Sequence, residues 1–185
     1  MRAWLLTNTT YGTWLPGDPR GSITSVRDER PGDAPSSIRF EHDVPGEPWE
    51  EHLPGLHEAA REQMSGPPIY LCRAQAEIIL AQFQETASYR RWALSGVAIM
   101  SNHFHLVVQV AHDPSPSKIL ADFKAYGSRA LNRAYGVPQS ETWWTSRGSK
   151  RKLRDDQYFA AAMNYVLHKQ PSPLVVWSHD EGRLV

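Results

Sequence analysis

The sequence predicts an α+β fold, a ferredoxin-like βαββαβ antiparallel sheet with an additional C-terminal helix that carries a tyrosine. Three observations point to it. Two β-type runs, Arg91–Met100 and His103–Val110, are separated by Ser101 and Asn102, the span of a tight hairpin. Segments with helical spacing of apolar residues lie on either side, Arg73–Ser88 before the hairpin and Lys118–Ala134 after it. A further β-type run opens the chain, and a short basic and aromatic run follows the second helical segment.

The elements follow in order. Arg2–Thr10 is rich in aromatic, aliphatic and β-branched residues and stops before turn-forming residues, which predicts a strand. Residues 16–66 contain seven prolines and little apolar period, so a surface insertion of about 16–66 is expected within one domain spanning 1–185, with a helical turn at Leu56–Met64. In Arg73–Ser88, Ala76, Ile79, Leu80 and Phe83 share a face. In Lys118–Ala134 the inner face is Ile119, Leu120, Phe123, Tyr126, Ala130 and Leu131. Thr142–Leu153 reads as a small strand pair. Asp155–Lys169 reads as the extra helix; Asp155 and Asp156 suit its N-terminal dipole and Pro171 ends it.

Composition narrows the class. At 41% hydrophobic and 22% charged residues, the 185-residue chain can bury a core, which excludes wholesale disorder. No apolar run suffices to span a bilayer, and the first residues lack the apolar core and cleavage site of a secretory signal. The single cysteine, Cys72, excludes an internal disulfide and a cysteine-rich zinc site, so a cytoplasmic location is expected. The net charge of zero hides a polarity. Residues 16–66 hold 11 Asp and Glu against 5 Arg, whereas 118–154 hold 9 Lys and Arg against 2 Asp and Glu. A concentrated basic stretch is compatible with a nucleic-acid partner whatever the total.

The sharpest local feature is His103-Phe104-His105. On a strand, residues two apart project from one face, so two imidazoles point together about 6–7 Å apart at their Cα atoms while Phe104 points into the core. Neutral imidazole is a common ligand for divalent metals. Two exposed histidines at a strand edge is the plainer reading of this pair taken alone. A third ligand must come from elsewhere, and Asn164, His168, Lys169 and Gln170 are the candidates. No His-Glu-x-x-His motif is present, which argues against a zinc protease. Tyr165 lies one turn before His168 and Lys169, and a tyrosine assisted by a cation can attack phosphorus. Tyr126, beside Lys124 and Arg129, is a rival that periodicity assigns to packing. In Trp143–Lys152 two tryptophans precede Arg147, Lys150, Arg151 and Lys152; flat rings can stack bases and cations can follow phosphates, or the tryptophans can be core.

Together these residues resemble a known family. Met100–Val108 (MSNHFHLVV) resembles the signature strand of the single-tyrosine HUH transposases, in which two histidines flank a hydrophobic residue. Leu6–Gly17 is similar to the opening of the REP-associated tyrosine transposase branch, and Tyr165–Pro171 to the helix bearing the family's nucleophile. The resemblance implies that His103 and His105 hold one divalent metal, Mg²⁺ or Mn²⁺, and that Tyr165 is the nucleophile. It places the third ligand about one turn after the tyrosine. Lys169 occupies the four-residue position, so Gln170, five residues on, is the first choice and His168 the alternative.

The implied activity is metal-dependent cleavage and strand transfer on single-stranded DNA at hairpins, including repetitive extragenic palindromes, through a 5′-phosphotyrosine. Lys124, Arg129, Arg147, Lys150, Arg151 and Lys152 are then the expected DNA contacts, in a monomer or homodimer associated with the nucleoid. The alternative is a domesticated, non-catalytic hairpin-binding protein on the same scaffold; an unrelated metal hydrolase is a third reading.

Overall fold

A computed structural model describes residues 1–20, 54–111 and 114–184. Most of the proline-rich segment expected as an insertion therefore lies outside the described residues. The chain divides into two compact units, residues 1–13 with 65–185, and residues 14–64. In the second unit, helix α1 (Pro54–Glu62) buries none of its residues, and Asp18 pairs with Arg20 at 2.6 Å. That guanidinium also lies 4.9 Å above the Trp14 ring.

The first unit is a six-stranded antiparallel sheet, β1 (Arg2–Thr9), β2 (Ala93–Ile99), β3 (His103–Val110), β4 (Ser149–Leu153), β5 (Val175–Ser178) and β6 (Gly182–Arg183), in the order β4-β1-β3-β2-β5-β6. Strands β1 to β4 with helices α2 (Arg73–Arg90) and α3 (Pro116–Tyr135) make the expected βαββαβ unit. The Ser101-Asn102 connection forms as expected, with the Met100 amide donating to the His103 carbonyl at 2.8 Å. Helix α4 (Asp156–His168) is the extra helix, and β5 and β6 extend the sheet beyond it. These last two strands were not expected: four residues after a proline carry too short a pattern to announce a strand. The expected strand pair within 142–153 is instead one strand, β4, preceded by an isolated bridge between Thr10 and Trp144.

Local chemistry sets the helix ends. The Gln75 side chain accepts from the Cys72 amide at 2.9 Å, satisfying a donor that no helical carbonyl can reach. Ser115 caps α3, receiving the Lys118 amide, and Pro116 fills the first turn where its missing N–H costs nothing. Asp155 caps α4 by accepting from the Tyr158 amide at 3.0 Å.

Strand alternation divides the core in two. Leu6, Val97, Ile99, Phe104, Leu106 and Val108 face α2 and α3, where Phe104 meets Phe83 and Trp144 edge to face at 5.0 and 5.3 Å. Ala98, Val107, Leu153 and Val176 face α4, which buries Ala162 and Val166 against them. Gly96 admits this packing: a Cβ there would stand 3.1 Å from the Met163 Cε. Phe104 is fully buried at the centre of the larger cluster. Phe104→Ala should therefore lower the unfolding free energy by about 3–5 kcal/mol in a urea titration. A loss under about 1 kcal/mol would show that this ring does not organise the core.

Candidate active site

Strand β3 lies between β1 and β2, and its pleat turns His103 and His105 to the face covered by α4 while Phe104 points away. The imidazole centroids are 4.9 Å apart, so the pair converges as the spacing predicts. Both neighbouring strands help to hold it. Thr7 is opposite His105 on β1, and its hydroxyl lies 2.6 Å from His105 Nδ1; Ala98 opposite on β2 is small enough to leave room.

The ring nitrogens are differentiated by these partners. Asn102 Oδ1, 2.6 Å from His103 Nδ1, can only accept, so Nδ1 carries a proton, and in a neutral ring Nε2 is the acceptor nitrogen. At His105 the Nε2 is buried and has no hydrogen-bond partner among the described residues. A proton at Nδ1, donated to Thr7, leaves a lone pair there rather than a buried unsatisfied N–H. Such Nδ1 partners are what orient metal-binding imidazoles elsewhere. Burial is the main force on the acidity of His105, followed by His103; together they lower its pKa to about 3, so the ring is neutral at working pH. The Gln170 side chain lies near enough to oppose that shift, although it makes no regular hydrogen bond to Nε2.

Helix α4 brings the tyrosine. The Tyr165 ring stands edge to face with His105 at a centroid distance of 5.2 Å and is 43% exposed, so its hydroxyl group sits on a side chain open to solvent. The helix ends at His168, and Gln170 lies in the turn beyond it, where its Nε2 donates to the Tyr165 carbonyl at 2.9 Å. That bond leaves the amide oxygen as the atom available toward His105. The five-residue offset works because the chain has left the helix; helical counting would have favoured Lys169, whose backbone N–H is used in capping the Tyr165 carbonyl at 3.2 Å. His168 is exposed and makes no hydrogen bond or ring contact with either histidine.

The other sequence candidates separate. Tyr126 is on α3, on the opposite side of the sheet from the histidines, beneath the Arg129 guanidinium at 5.0 Å. Trp143 and Trp144 are buried, with their indole N–H groups bonded to Asn132 and the Lys124 carbonyl, so they are core and offer no surface for bases. Strand alternation divides Lys150, Arg151 and Lys152. Arg151 pairs across from Leu5 on the histidine face, whereas Lys150 and Lys152 pair across from Leu6 and Trp4 on the other. Thr7 and Asn102 escaped the sequence reading; the register of β1 on β3 was the signal that would have found Thr7.

The donor set fits a divalent cation. Two imidazole nitrogens and an amide oxygen can converge, and one of the nitrogens is an orphaned buried acceptor. No group of three His, Cys, Asp or Glu side chains suited to a metal occurs among the described residues, and Gln170 is the described side chain that adds an amide oxygen beside the two imidazoles.

A histidine pair on a central strand thus faces a tyrosine on the helix packed against it. The model of the family Transposase IS200 like matches residues 71–168, more than half of the chain, and the protein belongs to that family. Among solved structures, three chains match significantly. One is a REP-associated tyrosine transposase bound to a REP hairpin, at 9% identity and a TM-score of 0.47. The alignment covers 89% of this chain and 64% of that one, so this chain spans under two thirds of its length. No curated protein sequence matches significantly. No helix among the described residues is long and apolar enough to cross a membrane.

The buried neutral state of His105 has a thermodynamic consequence. Its pKa falls from 6.5 to about 3 on folding, so between those values the unfolded chain binds the extra proton. Stability is then full above pH 6.5 and falls on acidification, by up to about 1.4 kcal/mol per pH unit from this group. Urea titrations of metal-stripped protein at pH 7 and pH 5 should show this fall, and His105→Asn should lessen it. An equal fall in both proteins would place the effect elsewhere.

Proposed function

We propose that the protein is a metal-dependent single-stranded DNA endonuclease and strand transferase that acts beside DNA hairpins, with Tyr165 as nucleophile. The observation that carries this reading is the Tyr165 ring packed on His105, with Gln170 tied to the same turn. Membership of the transposase family supports it.

In this reading His103 Nε2, His105 Nε2 and the Gln170 amide oxygen would hold Mg²⁺ or Mn²⁺. When bound, a divalent cation supplies polarisation of the scissile phosphate and helps a hydroxyl ionise. All three donors are neutral, so the charge of the ion is left for substrate phosphate to balance, as is usual where Mg²⁺ binds with few protein ligands. Thr7 and Asn102 keep the imidazoles oriented, and burial keeps His105 unprotonated.

The Tyr165 oxygen attacks phosphorus, its proton leaving to solvent across the open side of the ring. The bond to the 3′-oxygen breaks and that oxygen takes up a proton. The products are a 5′-phosphotyrosine and a 3′-hydroxyl end. Reversal by another 3′-hydroxyl joins strands and restores the tyrosine, so the phosphoester is conserved and no nucleotide is consumed. Positive side chains on β4 are suited to backbone phosphates of the flanking DNA.

A covalent adduct on a denaturing gel, with a hairpin oligonucleotide bearing single-stranded flanks and Mn²⁺, tests the reading. Wild-type protein should form the adduct. Tyr165→Phe should fold, bind the hairpin and form none; His105→Ala should bind the DNA and lose at least about 100-fold in adduct rate. Tyr126→Phe should keep the adduct. An adduct that persists in Tyr165→Phe excludes this nucleophile.

A further inference from the structure

We infer that the cleft between α3 and β4, on the side of the sheet away from Tyr165, binds a backbone phosphate of the same DNA, so that the bound strand passes around the β4 edge. The inference rests on the DNA-processing reading above and extends it to a second contact region.

The cleft has a volume of about 250 Å³ and is lined by Ser117, Leu120, Lys124, Ser146, Arg147 and Lys150 among others. Three cations and two hydroxyls meet there, and none of the described residues that line it is a carboxylate. Lys124 donates to the Thr145 and Arg147 carbonyls, which pins the loop before β4 to α3 and leaves one of its three ammonium protons for a ligand. Neither Lys124 nor Lys150 has a carboxylate partner among the described residues. Burial and then Lys150 pull the Lys124 pKa down to about 8, the strain that a bound anion relieves.

The cleft is also built firmly. A Cβ on Gly148 would stand 2.5 Å from Asn8 Oδ1, 2.6 Å from the Thr7 carbonyl and 2.7 Å from Leu120 Cδ2. The loop backbone at Gly148 therefore lies hard against β1 and α3.

Geometry connects the cleft to the tyrosine face. Strand β4 is the edge of the sheet, and its alternation sends Lys150 into the cleft and Arg151 to the histidine face. Adjacent residues of one edge strand thus present cations to both faces. A phosphodiester chain, which repeats its charge at every step, can satisfy both only by turning over that edge. A single small anion cannot.

The test uses full-length Tyr165→Phe protein, which holds substrate without cutting it. Affinity is read by fluorescence anisotropy against salt, with a labelled hairpin oligonucleotide carrying long single-stranded flanks and with the same hairpin trimmed of its flanks. Lys150→Gln and, as a second variant, Ser117→Glu should each weaken binding of the flanked hairpin about 5- to 20-fold. Lys150→Gln should also reduce the slope of log K against log salt by nearly one. The trimmed hairpin should lose clearly less. Unchanged affinity and slope for the flanked DNA in both variants overturn the cleft, and so does an equal loss for the trimmed hairpin. The adduct assay on protein with Tyr165 intact decides the parent reading separately, so failure of one is not failure of the other.

Discussion

The pleat of β3 is the constraint on which the rest depends. A strand paired on both sides has no freedom to rotate, so burying Phe104 between Phe83 and Trp144 forces its two neighbours to the other face. Core packing on one side thereby positions the chemistry on the other. A slip of one residue would bury both histidines among aromatic rings and expose the phenyl group, which links the stability of the fold to the integrity of the site.

The face so created has graded exposure. His105 is buried and neutral, and Tyr165 stands over it half open to solvent. The grading suits the roles assigned to them. A ligand gains from low dielectric and a fixed lone pair, whereas a nucleophile must meet a polymer arriving from solution. Gly96 has a quiet part in this arrangement, since a side chain there would crowd the end of Met163 on α4, two residues before Tyr165.

Much of this was legible in the sequence. The limits of β3, the two-residue hairpin and the helix that carries Tyr165 follow from patterns of period two and 3.6, whereas the expectation that this helix faces the histidine strand came from the family resemblance. What escaped has physical reasons. Val175–Ser178 is too short to show alternation and becomes a strand only because β2 offers it an edge. Trp143 and Trp144 lie in a basic run, and only their buried N–H bonds reveal them as core. The run Lys150-Arg151-Lys152 reads as one patch in sequence and is divided by the sheet into two. Gln170, the first choice for a third donor, stands at an awkward spacing because the backbone turns out of the helix one residue before it.

Helix α4 is fastened at both ends to the sheet it crosses. Strand β4 precedes it and pairs with β1; β5 follows it and pairs with β2, with only residues 169–174 between. Those six residues, fully stretched, reach about 20 Å. A DNA end carried on Tyr165 would thus travel on a short leash, held by its own chain at high effective molarity beside the histidines. Whatever strand is to receive it must be brought there, because the tyrosine cannot go in search of it.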